Sequence, residues 1–277
     1  MNAQQWLEQA EQKFQNLDHQ GALEDYTHAL SLNLDLVAAH LGRGRTRRVF
    51  VDLLGAIEDY TQALNLDPNC ASAYFERARC HRDLQNIEQA IADFTQGLRL
   101  QPESTQAYRD RAEARYASGD YQGFIDDLLE AMRCNYDDEP DLRVRQFQQG
   151  FLRGNFFELM GCAHLALGDY HSALKDFDFA LFHVHSRSVI YAGKGDARMG
   201  LGNYQDAIRD YTQAMGWFNR QPHLYEKRGE AYAAMGNTRV ALRDFKKAAL
   251  QYAKEPKHAP QHARVLDRIR TLGEKPR

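Results

Sequence analysis

One acidic and one basic position recur along the chain at a spacing that could bring opposite charges together. The acidic position is an aspartate in seven copies: Asp25, Asp59, Asp93, Asp127, Asp176, Asp210 and Asp244. A cation stands 16 residues before five of them: Arg43, Arg77, Arg111, Lys194 and Arg228. A pair that recurs this regularly describes a structural unit and not a single site. We therefore predict ion pairs that set the register of two neighbouring helices, each worth about 0–1 kcal/mol where exposed.

The sequence shows no motif for a chemical reaction. It has no phosphate-binding glycine loop, no nucleophile elbow and no HExxH. His183 and His185 could share a metal ion, but no third ligand stands at a fixed spacing from them. His81 and His164 occupy equivalent positions and are expected to be hydrogen-bonded between helices. We predict no enzymatic activity, no catalytic residue, no metal and no cofactor.

The four cysteines indicate a reducing compartment. Cys70, Cys80, Cys134 and Cys162 form no CxxC pair, and a chain of 277 residues needs no disulfide to fold. The opening MNAQQWLEQ is too polar for a secretory signal, and no apolar run approaches the roughly 20 residues that span a bilayer. We expect a soluble, cytoplasmic protein without a membrane span.

The charged positions lie within a longer repeating segment. GAIEDYTQALNLDP begins at Gly55, and six recognisable relatives of it occur elsewhere. Successive units start 34 residues apart, except where 15 residues are inserted before the fifth. The seven starting residues are Ala3, Val37, Ala71, Thr105, Gly154, Ser188 and Pro222. A fixed period of this length predicts a repeat architecture.

The unit resembles the tetratricopeptide repeat. That family has an aromatic residue at position 4, a small residue at 8, alanine at 20, an aromatic at 24 and alanine at 27. The third unit shows all but the last, with Tyr74, Ala78, Ala90, Phe94 and Gly97. The resemblance implies an all-α, right-handed α-solenoid of stacked antiparallel helix pairs with a C-terminal capping helix.

The fourth unit departs from the family pattern. Phe124 stands where alanine belongs, and Leu128 stands where an aromatic residue belongs. A phenylalanine in a space built for alanine overfills it unless its neighbours shift. This unit is expected to pack least regularly.

We divide the chain into units one to four (3–138), an inserted helix or linker (139–153), units five to seven (154–255), and a capping helix with a basic tail (256–277). The insertion, EPDLRVRQFQQGFLR, is predicted to be helical, either capping the groove or bending the array into four plus three units. Asp137 and Asp138 are its candidate N-caps, Pro140 suits its first turn, and Gly150 or Gly154 is expected to break it. The cap is predicted at 261–272, with four residues covering the last unit: Val265, Leu266, Ile269 and Leu272.

The resemblance implies a scaffold or adaptor that binds a protein or peptide in a concave groove lined by the first helices. The candidate site residues at groove positions are Phe14, Arg45, Arg48, Phe75, Arg79, Arg82, Arg109 and Tyr116. Residues 1–138 carry 23 Asp and Glu against 13 Lys and Arg, so arginines gathered in one groove suggest an anionic ligand. We predict an extended acidic peptide with an aromatic or aliphatic anchor. The alternative is a solvated arginine face partly neutralised by Glu76, Asp83 and Glu113.

Other partners rank lower. The family's clamp for a chaperone's C-terminal carboxylate needs Lys, Asn or Arg at set positions, and this chain has Leu7, Glu11, Ser72 and Glu76 at four of them. A chaperone tail is therefore not expected. Nucleic-acid or anionic-surface binding, through the Arg-rich face or the basic C-terminal tail, is the second hypothesis, and self-association is the third. The groove positions of the later units turn acidic: Glu158, Asp196, Glu226 and Glu230.

Overall fold

The computed structural model describes residues 1–134, 142–182, 187–217 and 221–273, and every regular element in them is helical. The α-helices are α1 (Ala3–Gln15), α2 (His19–Leu32), α3 (Val37–Val49), α4 (Leu53–Leu66), α5 (Ala71–Asp83), α6 (Ile87–Leu100), α7 (Thr105–Ser118), α8 (Tyr121–Cys134), α9 (Leu142–Leu167), α10 (Tyr170–Leu181), α11 (Arg187–Gly200), α12 (Tyr204–Trp217), α13 (Pro222–Ala234), α14 (Thr238–Tyr252) and α15 (Ala259–Gly273). A short 3₁₀ turn, Pro256–His258, precedes the last helix. No helix in the described residues is both long and apolar enough to cross a membrane.

The chain divides into two compact units, Met1–Asp138 and Glu139–Arg277. In the first unit, α1 pairs with α2, α3 with α4, α5 with α6, and α7 with α8. Each pair stacks on the next, so that α1, α3, α5 and α7 are successive neighbours. The unit is an all-α solenoid of helical hairpins, as the repeat period predicts.

The second unit repeats this plan with three hairpins. Helix α9 pairs with α10, α11 with α12, and α13 with α14, and α15 packs against α14 at the end of the stack. The first helices α9, α11 and α13 are again successive neighbours.

Large and small residues interlock in each hairpin. Tyr60, Phe94 and Tyr211, at position 24 of their repeats, have 0–1% of their surface exposed. A Cβ atom on Gly44 would lie 2.7 Å from the Tyr60 ring, so only glycine fits opposite that ring. Hairpin packing thus depends on glycine or alanine at position 8, and a larger side chain there would clash. Phe124 and Leu128 are also buried, so the irregular fourth repeat still closes its core.

Aspartates start several of the second helices. Asp18 accepts a hydrogen bond from the backbone N–H of Gly21 at 3.0 Å, and Asp52 accepts one from Gly55 at the same distance. These carboxylates satisfy N–H groups that the first turn of a helix leaves without a partner. In these hairpins the N-caps fix where the second helix begins.

The turn inside every hairpin uses a left-handed residue. Position 15 has φ between 61° and 83° in all seven repeats: Leu17, Val51, Gln85, Gly119, Gly168, Gly202 and Gly236. Glycine adopts this conformation freely, whereas a β-branched residue there is strained. Glycine occupies this position in four of the seven repeats, and Val51, which is β-branched, is its most strained member.

Replacing Val51 with glycine should therefore stabilise the first unit. A left-handed conformation costs an L-residue about 1–2 kcal/mol in the folded state, and glycine avoids this cost. Glycine also has greater conformational freedom in the unfolded state, which reduces the net gain in stability by about 0.5–1 kcal/mol. The expected gain is about 0.5–1 kcal/mol, seen as a higher urea midpoint. Gly119→Val should do the reverse, since a Cβ on Gly119 meets no atom within 4 Å and only the backbone is strained. A lower midpoint for Val51→Gly would refute this account of the turn.

Four of the five predicted cation–aspartate pairs form. The shortest bonds measure 2.6 Å for Arg43–Asp59, 2.8 Å for Arg77–Asp93, 2.6 Å for Arg111–Asp127 and 2.7 Å for Arg228–Asp244. The fifth prediction is wrong: Lys194 binds Asp178 at 2.5 Å, and Arg198 binds Asp210 at 2.6 Å. The aspartates are buried and join the two helices of one hairpin, so they set its register.

A second cation position serves the same aspartates. Four residues after the expected cation, Lys13 binds Asp25 at 2.7 Å and His164 lies 2.6 Å from Asp176. All seven aspartates therefore face a basic side chain. The second set of cations comprises Lys13, Arg47, Arg115, His164 and Arg198.

The helix break predicted at Gly150 or Gly154 in the insertion is wrong. Helix α9 continues through Gly150 and Gly154 into the first helix of the fifth repeat. A glycine inside a helix costs about 1 kcal/mol relative to alanine, which does not end a helix of 26 residues. The proposed N-caps Asp137 and Asp138 and the proposed first-turn Pro140 lie outside the described residues. The boundary at 153/154 remains a proposal.

Helix α15 caps the second unit. Val265 is fully buried, and Ile269 and Leu272 pack with Tyr252 and Phe245. Leu266 is 47% exposed, so its predicted part in the cover is wrong. The three buried residues close the apolar surface that the last hairpin would otherwise leave open.

Candidate functional site

The candidate site lies on the surface formed by the first helices α1, α3, α5 and α7 of the first unit. We call this surface the groove face. It carries seven of the eight candidate site residues, and the exception is Phe75, which is buried in the core. Its polar surface consists mainly of arginines and of carboxylates that bind them from the neighbouring first helix.

A ladder of ion pairs begins at α3. Arg48 donates to Glu76 at 2.7 Å, and the other oxygen of Glu76 accepts from Arg79 at 2.9 Å. Arg79 also donates through Nε to Asp110 at 2.8 Å. Burial alone would lower the pKa of Arg79, but its bonds to Asp110 and the charge of Glu76 raise that pKa overall. Arg79 is therefore a fixed, charged part of the structure.

The ladder ends at α7. Arg82 donates to Asp110 at 3.2 Å and to Glu113 at 2.8 Å, and its Nε lies 3.7 Å from Asp83. Asp110 is 5% exposed, whereas the side chain of Glu113 is 68% exposed. The three acids expected to neutralise the arginines all take part, and Asp110 joins them. Arg48, Arg79 and Arg82 thus meet carboxylates of the protein itself.

Arg45 stands outside this ladder. It is exposed, and no ion pair or hydrogen bond joins it to another described residue. It borders a pocket of about 340 Å³ between α1 and α3. The pocket is lined by Glu11, Phe14, Gln15, Tyr26, Ala38, Leu41, Gly42 and Arg45.

The pocket exists because the ladder is interrupted at one position. Glu76 and Asp110, which accept from the arginines, stand at position 6 of the third and fourth repeats, and the second repeat has Gly42 there. A Cβ on Gly42 would lie 2.2 Å from the ring of Tyr26. The ring tip of Tyr26 therefore occupies the space of a missing side chain and reaches the groove face. Burial, with a smaller contribution from Glu11, raises the pKa of Tyr26 to about 12, so its hydroxyl stays protonated at neutral pH.

The remaining predicted residues fall in different places. Tyr116 is 45% exposed and packs edge-on against Phe124 at 5.2 Å, and Arg109 is exposed. Phe75 is 7% exposed and belongs to the core, so it does not face the groove. It enters the core because Gly97 replaces the usual alanine at position 27: a Cβ there would lie 2.4 Å from the Phe75 ring. The structure brings Phe14 and Arg45 together in the pocket and gathers Arg48, Arg79 and Arg82 in the ladder.

In the second unit, the acidic groove positions of the last repeat are already paired. Glu226 is 3% exposed and accepts two bonds from Arg264 of α15, at 2.8 and 3.0 Å. Glu230 accepts from Arg268 of the same helix at 2.8 Å. Two arginines of the predicted basic tail therefore hold the capping helix in place.

Earlier repeats of the second unit contribute two more acids. Asp196 accepts from the hydroxyl of Tyr211 at 2.8 Å and pairs with Lys227. Glu158 has no partner in the described residues, and burial raises the pKa of its carboxyl.

The histidines and cysteines form no reactive centre in the described part of the chain. His164 is hydrogen-bonded to Asp176 as expected, but the buried Nδ1 of His81 has no partner, and burial lowers the pKa of that ring. Burial raises the pKa of the Cys80 thiol to about 12, which keeps it unreactive. No group of three metal-ligating side chains occurs among the described residues. The proposed His183 and His185 pair lies outside them.

Stacked helical hairpins whose first helices are successive neighbours define a helical-repeat protein. The model of the tetratricopeptide repeat family matches residues 52–92, 81–140 and 159–221, which is more than half of the chain. The chain belongs to the tetratricopeptide repeat family, and the resemblance seen in the sequence is confirmed.

Solved structures share this fold at low sequence identity. A tetratricopeptide repeat protein from Parabacteroides merdae ATCC 43184 gives a TM-score of 0.55 at 19% identity, over 95% of this chain and 98% of that one. YrrB, described as a TPR protein with an unusual peptide-binding site, gives 0.55 at 18%, over 77% and 99%. The Naa15/Naa10 complex bound to HypK-THB gives 0.63 at 13%, over 99% of this chain and 40% of that one. A search among curated proteins found no match.

Proteins of this family generally mediate contacts between proteins and are generally not catalytic. The groove face is therefore considered as a binding surface.

Proposed function

We propose that this protein is a non-enzymatic scaffold or adaptor that holds an extended, acidic segment of a partner protein on the groove face of the first unit. The observation that carries the proposal is Arg45, a cation of that face with no ion pair among the described residues, beside a pocket that has apolar walls. A partner segment can supply both the missing negative charge and an anchoring side chain.

Charge on the groove face supports this choice of ligand. The three ladder arginines, Arg48, Arg79 and Arg82, already meet four carboxylates of the protein, those of Glu76, Asp83, Asp110 and Glu113. Arg45, at the end of the ladder, has no ion pair among the described residues and adds a positive charge there. The surrounding residues 1–138 are strongly acidic, with 23 acidic and 13 basic residues. An acidic segment is therefore repelled by most of the unit and finds a cation without an ion pair at Arg45, which favours binding at that end of the groove face.

The exposed end of the ladder can also accept ligand carboxylates. Glu113 is 68% exposed on Arg82, and an exposed pair of this kind is worth about 0–1 kcal/mol. A carboxylate of the partner can replace Glu113 at little cost. Asp110, buried beneath, keeps Arg79 in position throughout.

Nucleic-acid binding is less well supported. It requires a row of cations free to release counterions, and three groove arginines are already paired within the protein. Arg264 and Arg268 of the C-terminal helix are paired with Glu226 and Glu230. The other predicted tail residues Lys275 and Arg277 lie outside the described residues.

The four cysteines are unpaired, which suits a reducing compartment such as the cytoplasm.

The test uses arginines that can be neutralised without unfolding the unit. In the variant Arg45→Gln/Arg48→Gln/Arg82→Gln, Glu76 and Asp110 both keep Arg79. Random twelve-residue peptides displayed on phage are selected on the wild-type protein, and affinities are measured by calorimetry. We expect acidic peptides to be enriched and to bind at least tenfold more weakly to the triple variant.

A matched control removes the same charge elsewhere. Arg239→Gln/Arg243→Gln/Lys246→Gln changes three exposed cations on α14 and should leave the affinity unchanged. Enrichment of neutral or basic peptides would refute the proposal. So would equal affinity for the wild type and a triple variant that melts normally. Displacement of the peptides by a polyanion, with a steep salt dependence, would favour the nucleic-acid hypothesis.

A further inference from the structure

The pocket between α1 and α3 has a buried polar group at its floor. Tyr26 is 3% exposed, its hydroxyl makes no hydrogen bond within the described residues, and its ring tip lines the pocket. The equivalent tyrosine of the next repeat, Tyr60, is fully buried, and its hydroxyl oxygen is buried as well, whereas Tyr26 lines the pocket. The Tyr26 hydroxyl therefore differs from its counterpart in being reachable from the groove face.

This hydroxyl restricts what can fill the pocket. A wholly apolar side chain would remove water from the hydroxyl without replacing its hydrogen bond, which disfavours binding. A group that accepts a hydrogen bond avoids that cost. The protonated hydroxyl of Tyr26 and the guanidinium of Arg45 are two donors that can point at the same acceptor.

The walls define the rest of the occupant. Phe14, Ala38 and Leu41 contribute apolar surface, which suits the methylene groups of a stem. The volume of about 340 Å³ is near the lower end of the range for ligand pockets, so one side chain with a few waters fits. Glu11 on the rim repels a second negative charge close to the first.

We propose that this pocket binds a single glutamate side chain of the partner segment. Its carboxylate accepts hydrogen bonds from the Tyr26 hydroxyl and from Arg45, and its methylene groups lie against Phe14 and Leu41. Glutamate suits the site better than aspartate because its longer stem reaches the floor. Glu11 favours a neutral or basic residue next to that glutamate. This inference rests on the proposed function, since it names one contact of the same acidic segment.

Tyr26→Phe is the central variant because it removes only the hydroxyl. Peptides selected on the wild-type protein should share one glutamate, and replacing it with glutamine should weaken binding to the wild type at least tenfold. Tyr26→Phe should weaken the unmodified peptide about threefold to tenfold, and Arg45→Gln at least tenfold. Tyr60→Phe, the matched control in the next repeat, should have no effect on binding.

A double-mutant cycle makes the test specific to the pocket. If the glutamate occupies the pocket, the change to glutamine costs much less affinity in Tyr26→Phe/Arg45→Gln than in the wild type. An equal loss in both proteins overturns the inference. Melting curves accompany each variant. If the Tyr26→Phe variant unfolds, the cycle is measured with Arg45→Gln alone, because Arg45 is exposed and its replacement does not disturb the core.

The outcomes separate this inference from the proposed function. If Arg48→Gln/Arg82→Gln weakens the acidic peptides while the cycle shows no coupling, the groove binds acidic segments and the pocket inference is wrong. If the wild-type protein selects no acidic peptide, the proposed function fails and the pocket inference fails with it.

Discussion

Replacing Gly42 with alanine is expected to destabilise the first unit by about 2–3 kcal/mol, as overpacking of a well-packed site does. The new Cβ would lie 2.2 Å from the Tyr26 ring, far inside van der Waals contact. Tyr26 cannot move away easily, because its ring packs among Ala10, Ala22 and Leu30. Relief requires that α2 and α3 separate or that the ring leave its rotamer, and both reduce packing.

A glycine in the second unit provides the control for Gly42. Gly216 lies in α12, and a Cβ there meets no atom within 4 Å. Gly216→Ala should therefore raise stability by about 0.5–1 kcal/mol through helix propensity alone. Urea unfolding followed by circular dichroism gives both values. If the two substitutions have the same sign, the steric origin of the groove pocket is disproved.

Replacing Asp59 with asparagine should cost about 3–5 kcal/mol, as breaking a buried ion pair does. Asp59 is 1% exposed and accepts from Arg43 at 2.6 Å and from Arg47 at 2.9 Å, with His40 at 3.4 Å. Asparagine leaves two half-buried guanidiniums without their counter-charge. The control is Asp206→Asn, which removes an exposed pair and should change stability by less than about 0.5 kcal/mol.

The same carboxylate should shape the response of the protein to acid. Burial alone would raise the pKa of Asp59, but hydrogen bonds from His40 and Arg43 and the nearby charges lower it overall, below 3.8. A carboxylate with a lowered folded-state pKa stabilises the fold above its unfolded-state pKa, and this contribution is lost as the pH falls through the folded-state value. The wild type should therefore lose its advantage over Asp59→Asn below about pH 4. A constant difference in unfolding free energy from pH 7 to pH 2.5 would contradict this.

Regular features of the sequence predicted the structure best. The 34-residue period defined the hairpins, and the constant offset between Arg43 and Asp59 predicted their contact. Lys194 departed from the pattern because its flexible ammonium group reaches Asp178, while the guanidinium of Arg198 takes Asp210. The second cation position was visible in the sequence as Lys13 and its counterparts, but the prediction of ion pairs considered only the first position.

Irregular features of the site were harder to predict. Phe75 occupied a groove position by number, but Gly97 beneath it opened a space in the core that the ring fills. Gly42 likewise created a pocket through the absence of a side chain. Comparing the sequence with the family pattern one position at a time identifies the side chains that are present. It does not show the space that an absent side chain leaves in the packing. Asp110 was missed for another reason, since its partners are on a different repeat and local spacing gives no sign of them.

The double supply of cations to the repeat aspartates also bears on how such a chain can diverge. Asp59 and Asp127 each contact two arginines from different turns of one helix, whereas Asp25, Asp93 and Asp244 each contact one Lys or Arg. A repeat with both cations can lose either one to mutation and still neutralise its carboxylate. A repeat can therefore change from the first cation position to the second through an intermediate that has both cations. The buried carboxylate then has a basic partner at every step. Copies of one ancestral hairpin can diverge in this way while each keeps the register of its two helices.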